Sequence, residues 1–327
     1  MEITKMYRFD NELKFNFIDS IKKHREKNTV RLYEVMLAKI DDAEIINGCE
    51  LKYFNEKQID LFFITLNAKS KSSLNTYLSI LKDYLTFTTD YDNTLMTGFN
   101  YVMQMSGNDL EQFINVVGIE MRYITPKELS EIISIPIGDA LCKAITILLF
   151  HGIKGEVFSD ILNIKTEDVD IENGIIYKGT DVLFNIPKEY LHIFKEAISG
   201  NKFIEWNVDG KIKRELELVD NGYLIRRNIN PRRDFDFTAK PDKNLLNRRM
   251  LQYYESIGYP YLSVQSIYNS GIVYRMLEYN NFEQLDYRVI EEYLSLTGEN
   301  ISYNTAIGVS KVLLKKLKGE TKVEIIK

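Results

Sequence analysis

The sequence has 327 residues, a net charge of −5, and 45% hydrophobic and 27% charged residues. This length suffices for two domains that each bury a core, and the composition is typical of a globular protein rather than a disordered one. The longest apolar run, Ala144 to Phe150, is too short to cross a membrane, and the first residues lack a secretory-signal pattern. Cys49 and Cys142 have neither a disulfide-framework nor a zinc-ligand spacing. We expect a cytoplasmic protein without membrane contacts.

The first part of the chain is predicted to be helical. Apolar residues recur at three- and four-residue spacing in KFNFIDSIKKHREKNTVRLYEVMLAKI and in SKSSLNTYLSILKDYLTFTTDY, which is the pattern of helices with one buried face. Ser72 or Ser73 is a candidate N-cap of the second segment. Thr125, Pro126 and Glu128 then form a helix-start signature. We place the domain boundary just before that signature, between residues 118 and 119.

The second part mixes helices with short strands. DALCKAITILLFHG reads as a buried helix that ends at Gly152, and FSDILNIKTEDVD as the start of another helix. ENGIIYKGTDVLFNIP alternates around turn residues, which predicts a small antiparallel sheet, and FIEWNVDGKIKREL predicts a second hairpin. Helical patterns resume from DKNLLNRRMLQYYESIG to SYNTAIGVSKVLLKKL. The predicted fold class is mainly α with a small antiparallel β-sheet.

Positive charge is concentrated in one stretch. Between Tyr223 and Met250 there are eight basic and three acidic side chains, so this stretch carries +5 and the remainder −10. Binding of an anion responds to the local field rather than to the net charge, so such a stretch is a candidate phosphate-facing surface. A smaller basic cluster near the N-terminus comprises Lys22, Lys23, Arg25, Lys27 and Arg31.

Common catalytic motifs are absent from the sequence. Its three histidines, His24, His151 and His192, have no convincing nucleophile beside them, and no HExxH or CxxC metal motif occurs. There is no GxxxxGK[ST] loop, and Gly152-Ile153-Lys154-Gly155 follows an apolar helix rather than a strand, so it is not a dinucleotide loop. We therefore predict no metal and no cofactor.

The order of these elements resembles the tyrosine recombinase (phage integrase) family. Gly-Ile-Lys after an apolar helix, followed by ILNIKTEDVD and a small sheet, is similar to the family's "G-L-R" and "E-L-L-x-L" region. SKSSLNTYLSILKDYLTF looks like the core-binding module, ITPKELSEII like the opening of the catalytic module, and EEYLSLTGENISYNTAIGVSKVL like the closing boxes. The resemblance covers most of the chain. It implies a helical core-binding domain over 1–118 and a catalytic-like domain over 119–327, which together clamp duplex DNA.

The catalytic residues of the resembled family are largely unmatched. Phosphodiester transfer in that family uses a tyrosine nucleophile, two arginines, a sheet lysine and two histidine-type positions. Lys154 stands at the first arginine position, or Val157 does if the alignment has no gap, and the H-x-L-R box reads Gln265-Ser266-Ile267-Tyr268. Only Lys178 fits the sheet lysine. A lysine cannot form the planar bidentate clamp of an arginine.

The closing boxes depart from the family as well. Glu299 follows Gly298 where the family has histidine, and residues 305–314, where the nucleophile is expected, contain no tyrosine. Tyr303 precedes that window and reads as a helix-start aromatic. Because the charge on the transition state requires these cations, the resemblance implies that the chain is not an enzyme.

A DNA-binding scaffold without the catalytic residues predicts a sequence-specific DNA-binding transcriptional regulator, similar to prophage lysogeny repressors built on this fold. The expected partner is double-stranded DNA at operator or promoter sites, in the bacterial cytoplasm at the nucleoid. A small protein or peptide antagonist and a second copy of the chain are further candidate partners. The candidate DNA contacts are Lys69, Lys71, Asn75, Thr76, Lys82, Lys154, Lys178, Arg226, Arg227, Arg232, Arg233, Arg248, Arg249, Gln265, Tyr268 and Asn269.

Two other functions stay open at this level. A divergent recombinase would cut and rejoin DNA with relocated groups, for instance Tyr303 and an arginine between 226 and 249. Alternatively, the chain is a protein-interaction module that kept the fold and lost DNA binding, in keeping with its net negative charge.

Overall fold

The computed structural model describes residues 11–68, 70–92, 97–229 and 238–319. The chain divides into two compact units, Met1–Val116 and Val117–Lys327, each with its own hydrophobic core. This division lies close to the predicted boundary between residues 118 and 119. Among the described residues, no helix combines the length and the apolar composition that a membrane crossing needs.

The first unit is helical, as the spacing of its apolar residues predicts. Its helices are α1 (Glu12–Lys22), α2 (Lys27–Asn47), α3 (Glu56–Thr65), α4 (Lys71–Asp92) and α5 (Thr97–Gln104).

Local signals set several of these helix ends. The side chain of Asn11 caps α1, Asn55 and Gln58 form a capping box at α3, and Gly48 ends α2 in the left-handed conformation. The predicted cap of α4 is shifted: the hydroxyl of Ser70 accepts the Ser73 backbone N–H at 3.1 Å, so the helix begins before Ser72 or Ser73 could cap it.

A buried cation joins the first two helices. The side chain of Lys14 in α1 is fully buried, and its ammonium pairs with Asp41 and Glu44 of α2. A buried ammonium is tolerated only when it is paired, because an isolated charge loses its hydration without compensation. This pairing therefore fixes the position of α1 against α2.

The second unit contains the remaining elements. Its helices are α6 (Val116–Glu120, at the boundary), α7 (Pro126–Ser134), α8 (Ala140–Phe150), α9 (Ser159–Leu162), α10 (Leu191–Ser199), α11 (Lys243–Ser256), α12 (Val264–Tyr279), α13 (Tyr287–Thr297) and α14 (Tyr303–Leu317). Strands β1 (Val169–Asp170), β2 (Ile175–Lys178) and β3 (Asp181–Asn185) form an antiparallel sheet, and β4 (Lys202–Trp206) pairs with β5 (Ile212–Glu217). Mainly α with small antiparallel sheets is the fold class that the sequence predicts, and it is confirmed.

Two local predictions in this unit have different outcomes. The helix start at α7 is confirmed, since Thr125 and Glu128 form a capping box with Pro126 in the first turn. The predicted helix in FSDILNIKTEDVD is much shorter than its pattern suggests: α9 covers Ser159–Leu162 and gives way to a 3-10 turn and to β1. The buried residues Ile161, Ile164 and Val169 therefore reach the core from different elements rather than from one helix.

Helices α8 and α12 form the centre of the second core. Nearly every side chain of α8 is buried, and α12 crosses it so closely that a Cβ atom on Gly271 would lie 1.7 Å from the Phe150 carbonyl oxygen. Only glycine permits this approach. The contact places the C-terminal end of α8 beside α12, where the predicted site residues Lys154 and Tyr268 are found.

Candidate nucleic-acid interface

The loop that follows α8 has an unusual backbone. Gly152 and Gly155 have positive φ angles of 89° and 67°, and so do Val157 at 50° and Phe158 at 68°. Left-handed conformations are rare for β-branched and bulky residues and cost about 1–3 kcal/mol each. Gly152 thus leads out of the helix as predicted, but the loop continues through two strained residues before α9 begins.

This loop places Lys154 over an aromatic floor. Its ammonium lies 4.5 Å from the ring centroid of Tyr268 in α12 and 5.5 Å from that of Phe158. The ammonium of Lys243, the first residue of α11, lies 5.9 Å from the same Phe158 ring. Cations are attracted to the faces of aromatic rings, which partly offsets the loss of water. Two ammonium groups therefore share one aromatic surface.

The electrostatic surroundings of Lys154 favour an added anion. Burial lowers the pKa of Lys154, and the positive charge of Lys243 lowers it further. Within the described part of the chain, neither lysine forms an ion pair with a carboxylate. A negative group placed between them would relieve their repulsion and replace some of the lost hydration.

Tyr268 is buried beneath Lys154. It is only 6% exposed. Burial raises the pKa of Tyr268, with a smaller contribution from nearby Glu299. On the same helix the Gln265 amide donates to the Asn269 side-chain oxygen at 2.7 Å. The structure thus brings Lys154 onto Tyr268, while on the same helix Gln265 is exposed and Asn269 is buried at 7% exposure.

A partly buried ion pair lies against the loop that carries Lys154. Arg275, two turns after Tyr268 on α12, donates to the Phe150 carbonyl at 2.8 Å and pairs with Glu299. A Cβ atom on Gly152 would lie 2.6 Å from both Arg275 Nη2 and Glu299 Oε1, so the loop passes the pair as closely as glycine allows. The pair joins the end of α8, α12 and the loop before α14.

Lys178 is connected to the same loop through Asp160. Its ammonium bonds the Asp160 carboxylate at 2.8 Å, and the Asp160 backbone N–H donates to the Lys154 carbonyl at 3.1 Å. The side chain of Lys178 remains 67% exposed. The β2–β3 turn therefore presents a cation near the Lys154 loop, although a carboxylate compensates part of its charge.

Family models match both units. One described as "MrpR, N-terminal core-binding domain" matches residues 7–90, and one described as "MrpR, C-terminal catalytic domain" matches residues 123–311. The chain belongs to the MrpR family.

Two individual proteins are similar to this MrpR-family chain. The "SPbeta prophage-derived uncharacterized protein YopR" of Bacillus subtilis (strain 168) is 21% identical over 300 residues, which cover 87% of this chain and 88% of YopR. XerA recombinase, known from a crystal structure, is similar over 96% of this chain and 100% of its own at 15% identity, with a TM-score of 0.36. The XerA similarity is too low to support any argument about function.

Two predicted DNA contacts lie in the interior of the MrpR-family chain instead. Arg226 is 8% exposed and donates to the carbonyls of Ala197 and Gly200, at the C-terminal end of α10. Arg249 is 2% exposed, bonds the Asn228 side chain and lies 4.3 Å from the ring of Phe203. Burial lowers the pKa of Arg249 to about 10. The predicted surface role for Arg226 and Arg249 is therefore corrected to an internal one, because both guanidinium groups bond protein acceptors.

The neighbouring arginines of this stretch have different surroundings. Arg227 bonds Asp242 at 3.0 Å, and so helps to fix the start of α11. Arg248 is exposed on α11 and keeps its predicted surface position. Arg232 and Arg233, like Lys69 in the first unit, lie outside the described residues.

Most of the predicted DNA-contacting side chains of the first unit form ion pairs or hydrogen bonds within that unit. Lys71 pairs with Glu111 at 2.6 Å, and Lys82 donates to the Met103 and Met105 carbonyls at 3.3 and 2.8 Å, where α5 ends. The Thr76 hydroxyl bonds the Ser72 carbonyl at 3.0 Å, while Asn75 is exposed. DNA contacts by Lys71, Lys82 and Thr76 would therefore compete with bonds inside the domain.

Two residues of the site are not singled out by the sequence. Lys243 is one of eight basic residues in the basic stretch, and nothing in the sequence distinguishes it from the others. It follows the N-cap Asp242 and is therefore the first residue of α11. Nothing in the local sequence signals Arg275, because its partners are 125 and 24 residues away. Tyr303 begins α14 as predicted, and its ring lies 5.4 Å from that of Tyr287.

Proposed function

We propose that this chain is a sequence-specific DNA-binding transcriptional regulator, a prophage lysogeny repressor, which uses the recombinase-like scaffold without cutting DNA. The observation that carries the proposal is the pair formed by Lys154 and Lys243 on the ring of Phe158. We assign this pair of lysines as a binding site for a phosphate group of the DNA backbone.

The chemistry of the pair suits phosphate binding. Each lysine is a compact charge without a carboxylate partner among the described residues, and Lys154 is partly desolvated by Tyr268. A phosphate there releases counterions from the duplex, which is the main source of affinity in protein–DNA complexes. Base contacts would have to come from other side chains, since phosphate contacts position a protein but do not read sequence.

The same geometry argues against strand cleavage. By the resemblance to tyrosine recombinases, Lys154 (or Val157, if the alignment has no gap) stands at the first arginine position and Tyr268 at the second, and none of these side chains can form the bidentate clamp of an arginine. Arg275 is already engaged by Glu299 and by the Phe150 carbonyl. α14 has Tyr303 as its one tyrosine, located in the first turn and packed against Tyr287. These features support a chain that holds a phosphate without activating it.

The similarity to YopR supports a function in a phage or prophage. YopR is named as derived from the SPβ prophage, and it matches this chain across most of both lengths. The family model of the first unit is named as a core-binding domain.

A DNA-binding measurement tests the proposal. Duplex fragments that tile promoters of the chain's own genome are titrated in gel-shift assays at several salt concentrations. We expect one or a few fragments to bind more tightly than the rest, with affinity falling steeply as salt rises. No shift of any fragment at low salt would contradict the proposal and favour the protein-interaction module.

A covalent-adduct assay on nicked suicide DNA separates the regulator from a recombinase. The regulator forms no protein–DNA adduct. An adduct that disappears in Tyr303→Phe would establish the divergent recombinase instead. This substitution retains the aromatic ring that packs on Tyr287, so it removes the hydroxyl alone.

A further inference from the structure

A long groove runs along the first unit between α2 and α3. Its volume is about 1610 Å³, and residues from successive turns of α2, from Lys27 to Asn47, form one wall. The other wall is the face of α3 from Gln58 to Leu66. The α2 wall is about 30 Å long because α2 has 21 residues, and the facing wall formed by α3 is about 15 Å long; a helix could lie parallel to both.

The floor of the groove is apolar and open to solvent. Val35 is 50% exposed, Ile46 81% and Leu61 54%, and the smaller side chain of Ala38 lies between them. Val35, Ala38 and Ile46 share one face of α2. Single exposed apolar residues are ordinary, whereas an aligned set in a groove is characteristic of a protein-binding surface.

The rim of the groove is positively charged. Five of the side chains that line it are basic and two are acidic; the basic ones are Lys22, Arg25, Lys27, Arg31 and Lys39, and the acidic ones are Glu34 and Asp42. The unit as a whole has the opposite balance, since residues 1–116 contain 17 acidic and 14 basic side chains. Basic side chains are thus concentrated along an apolar groove in an otherwise acidic domain.

We propose that this groove binds an amphipathic helix of a partner protein, with an apolar stripe and acidic flanks. The stripe would cover Val35, Ile46 and Leu61, and the flanking carboxylates would lie against Lys27 and Arg31. Binding of an amphipathic helix in an apolar groove is a common recognition mode, with anchors at three- and four-residue spacing. This partner is separate from the DNA proposed for the second unit.

The charges and the apolar floor disfavour the other occupants. A two-fold dimer through the groove would bring two positive rims together. The terminal segments MEITKMYRFD and ETKVEIIK each carry equal numbers of acidic and basic residues, so neither complements the rim. Duplex DNA would satisfy Lys27 and Arg31, but its phosphates offer nothing to Val35, Ile46 and Leu61.

Fluorescence anisotropy with synthetic peptides tests the proposal on the full chain. The probe is a labelled helical peptide of about five turns with leucine at three- and four-residue spacing and glutamate on its flanks. The matched peptide has lysine in place of glutamate. We expect the glutamate peptide to bind at least about tenfold more tightly than the lysine peptide, because only the former complements the rim.

Substitutions in the chain locate the binding. Val35→Asp and, separately, Lys27→Glu with Arg31→Glu should each weaken the glutamate peptide about tenfold. Ile64→Asp is the matched control, since Ile64 is 57% exposed on α3 but does not line the groove. All four positions are at the surface, and circular dichroism checks that each variant is folded.

Several results would overturn the proposal. Equal binding of the two peptides, or binding unaffected by Val35→Asp, would show that the groove is not the site. Loss of DNA affinity in the Lys27 and Arg31 variant, together with displacement of the peptide by duplex, would assign the groove to DNA. A dimer in sedimentation that Val35→Asp dissociates would assign it to a second copy. Peptide binding by a chain that binds no DNA would contradict the proposed function alone.

Discussion

The second unit contains two groups of cations that look alike in the sequence and differ in their surroundings. Arg226 and Arg249 are buried and bond a helix end and an asparagine. Lys154 and Lys243 lie on aromatic rings, and no described carboxylate pairs with them. A basic stretch in a sequence can therefore contain both buried and exposed cations: Arg226 and Arg249 are interior, whereas Lys243 of the same stretch is exposed. What separates them is burial rather than complete hydrogen bonding, since Nε and Nη1 of Arg249 have no partner among the described residues.

The largest expected effect on the free energy of unfolding comes from replacing one of the two buried arginines. Arg249→Ala removes the guanidinium from the Phe203 ring and leaves Asn228 without its partner, so the free energy of unfolding should fall by about 3 kcal/mol in urea titrations. Arg248→Ala, the adjacent but exposed residue, should change it by less than about 0.5 kcal/mol. A stable Arg249→Ala variant with reduced DNA affinity would instead restore Arg249 to the DNA surface.

Loss of the ion pair between Arg275 and Glu299 should have the next largest effect on the free energy of unfolding. Glu299→Gln removes the charge that pairs with Arg275, whose side chain is 28% exposed, and should lower the free energy of unfolding by about 2 kcal/mol. The control is Glu291→Gln on the exposed face of α13, for which no change is expected. Equal stability of the two variants would mean that the ion pair does not hold the loop against α12.

The proposed phosphate-binding pair, Lys154 and Lys243, is tested by DNA affinity rather than by stability. Lys154→Ala and Lys243→Ala should each weaken binding by about 1 kcal/mol for every duplex, and each should reduce the slope of log affinity against log salt by about 1. Lys211→Ala, in the turn between β4 and β5, serves as the exposed control. If the losses differ from one sequence to another, these lysines read bases and do not simply hold a phosphate.

The smallest effect concerns the strained loop that carries Lys154. Val157 has a φ of 50° and is 58% exposed, so Val157→Gly removes strain and little packing, and should raise the free energy of unfolding by about 0.5–1 kcal/mol. Val182→Gly, an exposed valine in β3, should destabilise by a similar amount because glycine weakens a strand. A destabilised Val157→Gly would show that the valine side chain holds the loop.

Features that depend on neighbouring residues were predictable from the sequence. The capping box of Thr125 and Glu128, the hairpin around Gly210 and the apolar stripes of α2 and α4 are all found where the residue pattern places them. The family resemblance found from the order of these elements is confirmed by the MrpR models. Apart from the buried Arg226 and Arg249, the DNA contacts remain predictions, and the fold brings Lys154 onto Tyr268.

The sequence by itself determined the mainly helical architecture and the small antiparallel sheets, since periodicity and turn residues are local properties. The absence of the tyrosine recombinases' catalytic residue types stays a prediction from the resemblance. Only the tertiary structure decided which cations are buried and which are presented. Arg275 meets Phe150 and Glu299, and Lys154 meets Tyr268, across more than twenty residues of chain. Such encounters depend on how α8 and α12 pack, where Gly271 permits a contact that no local pattern specifies.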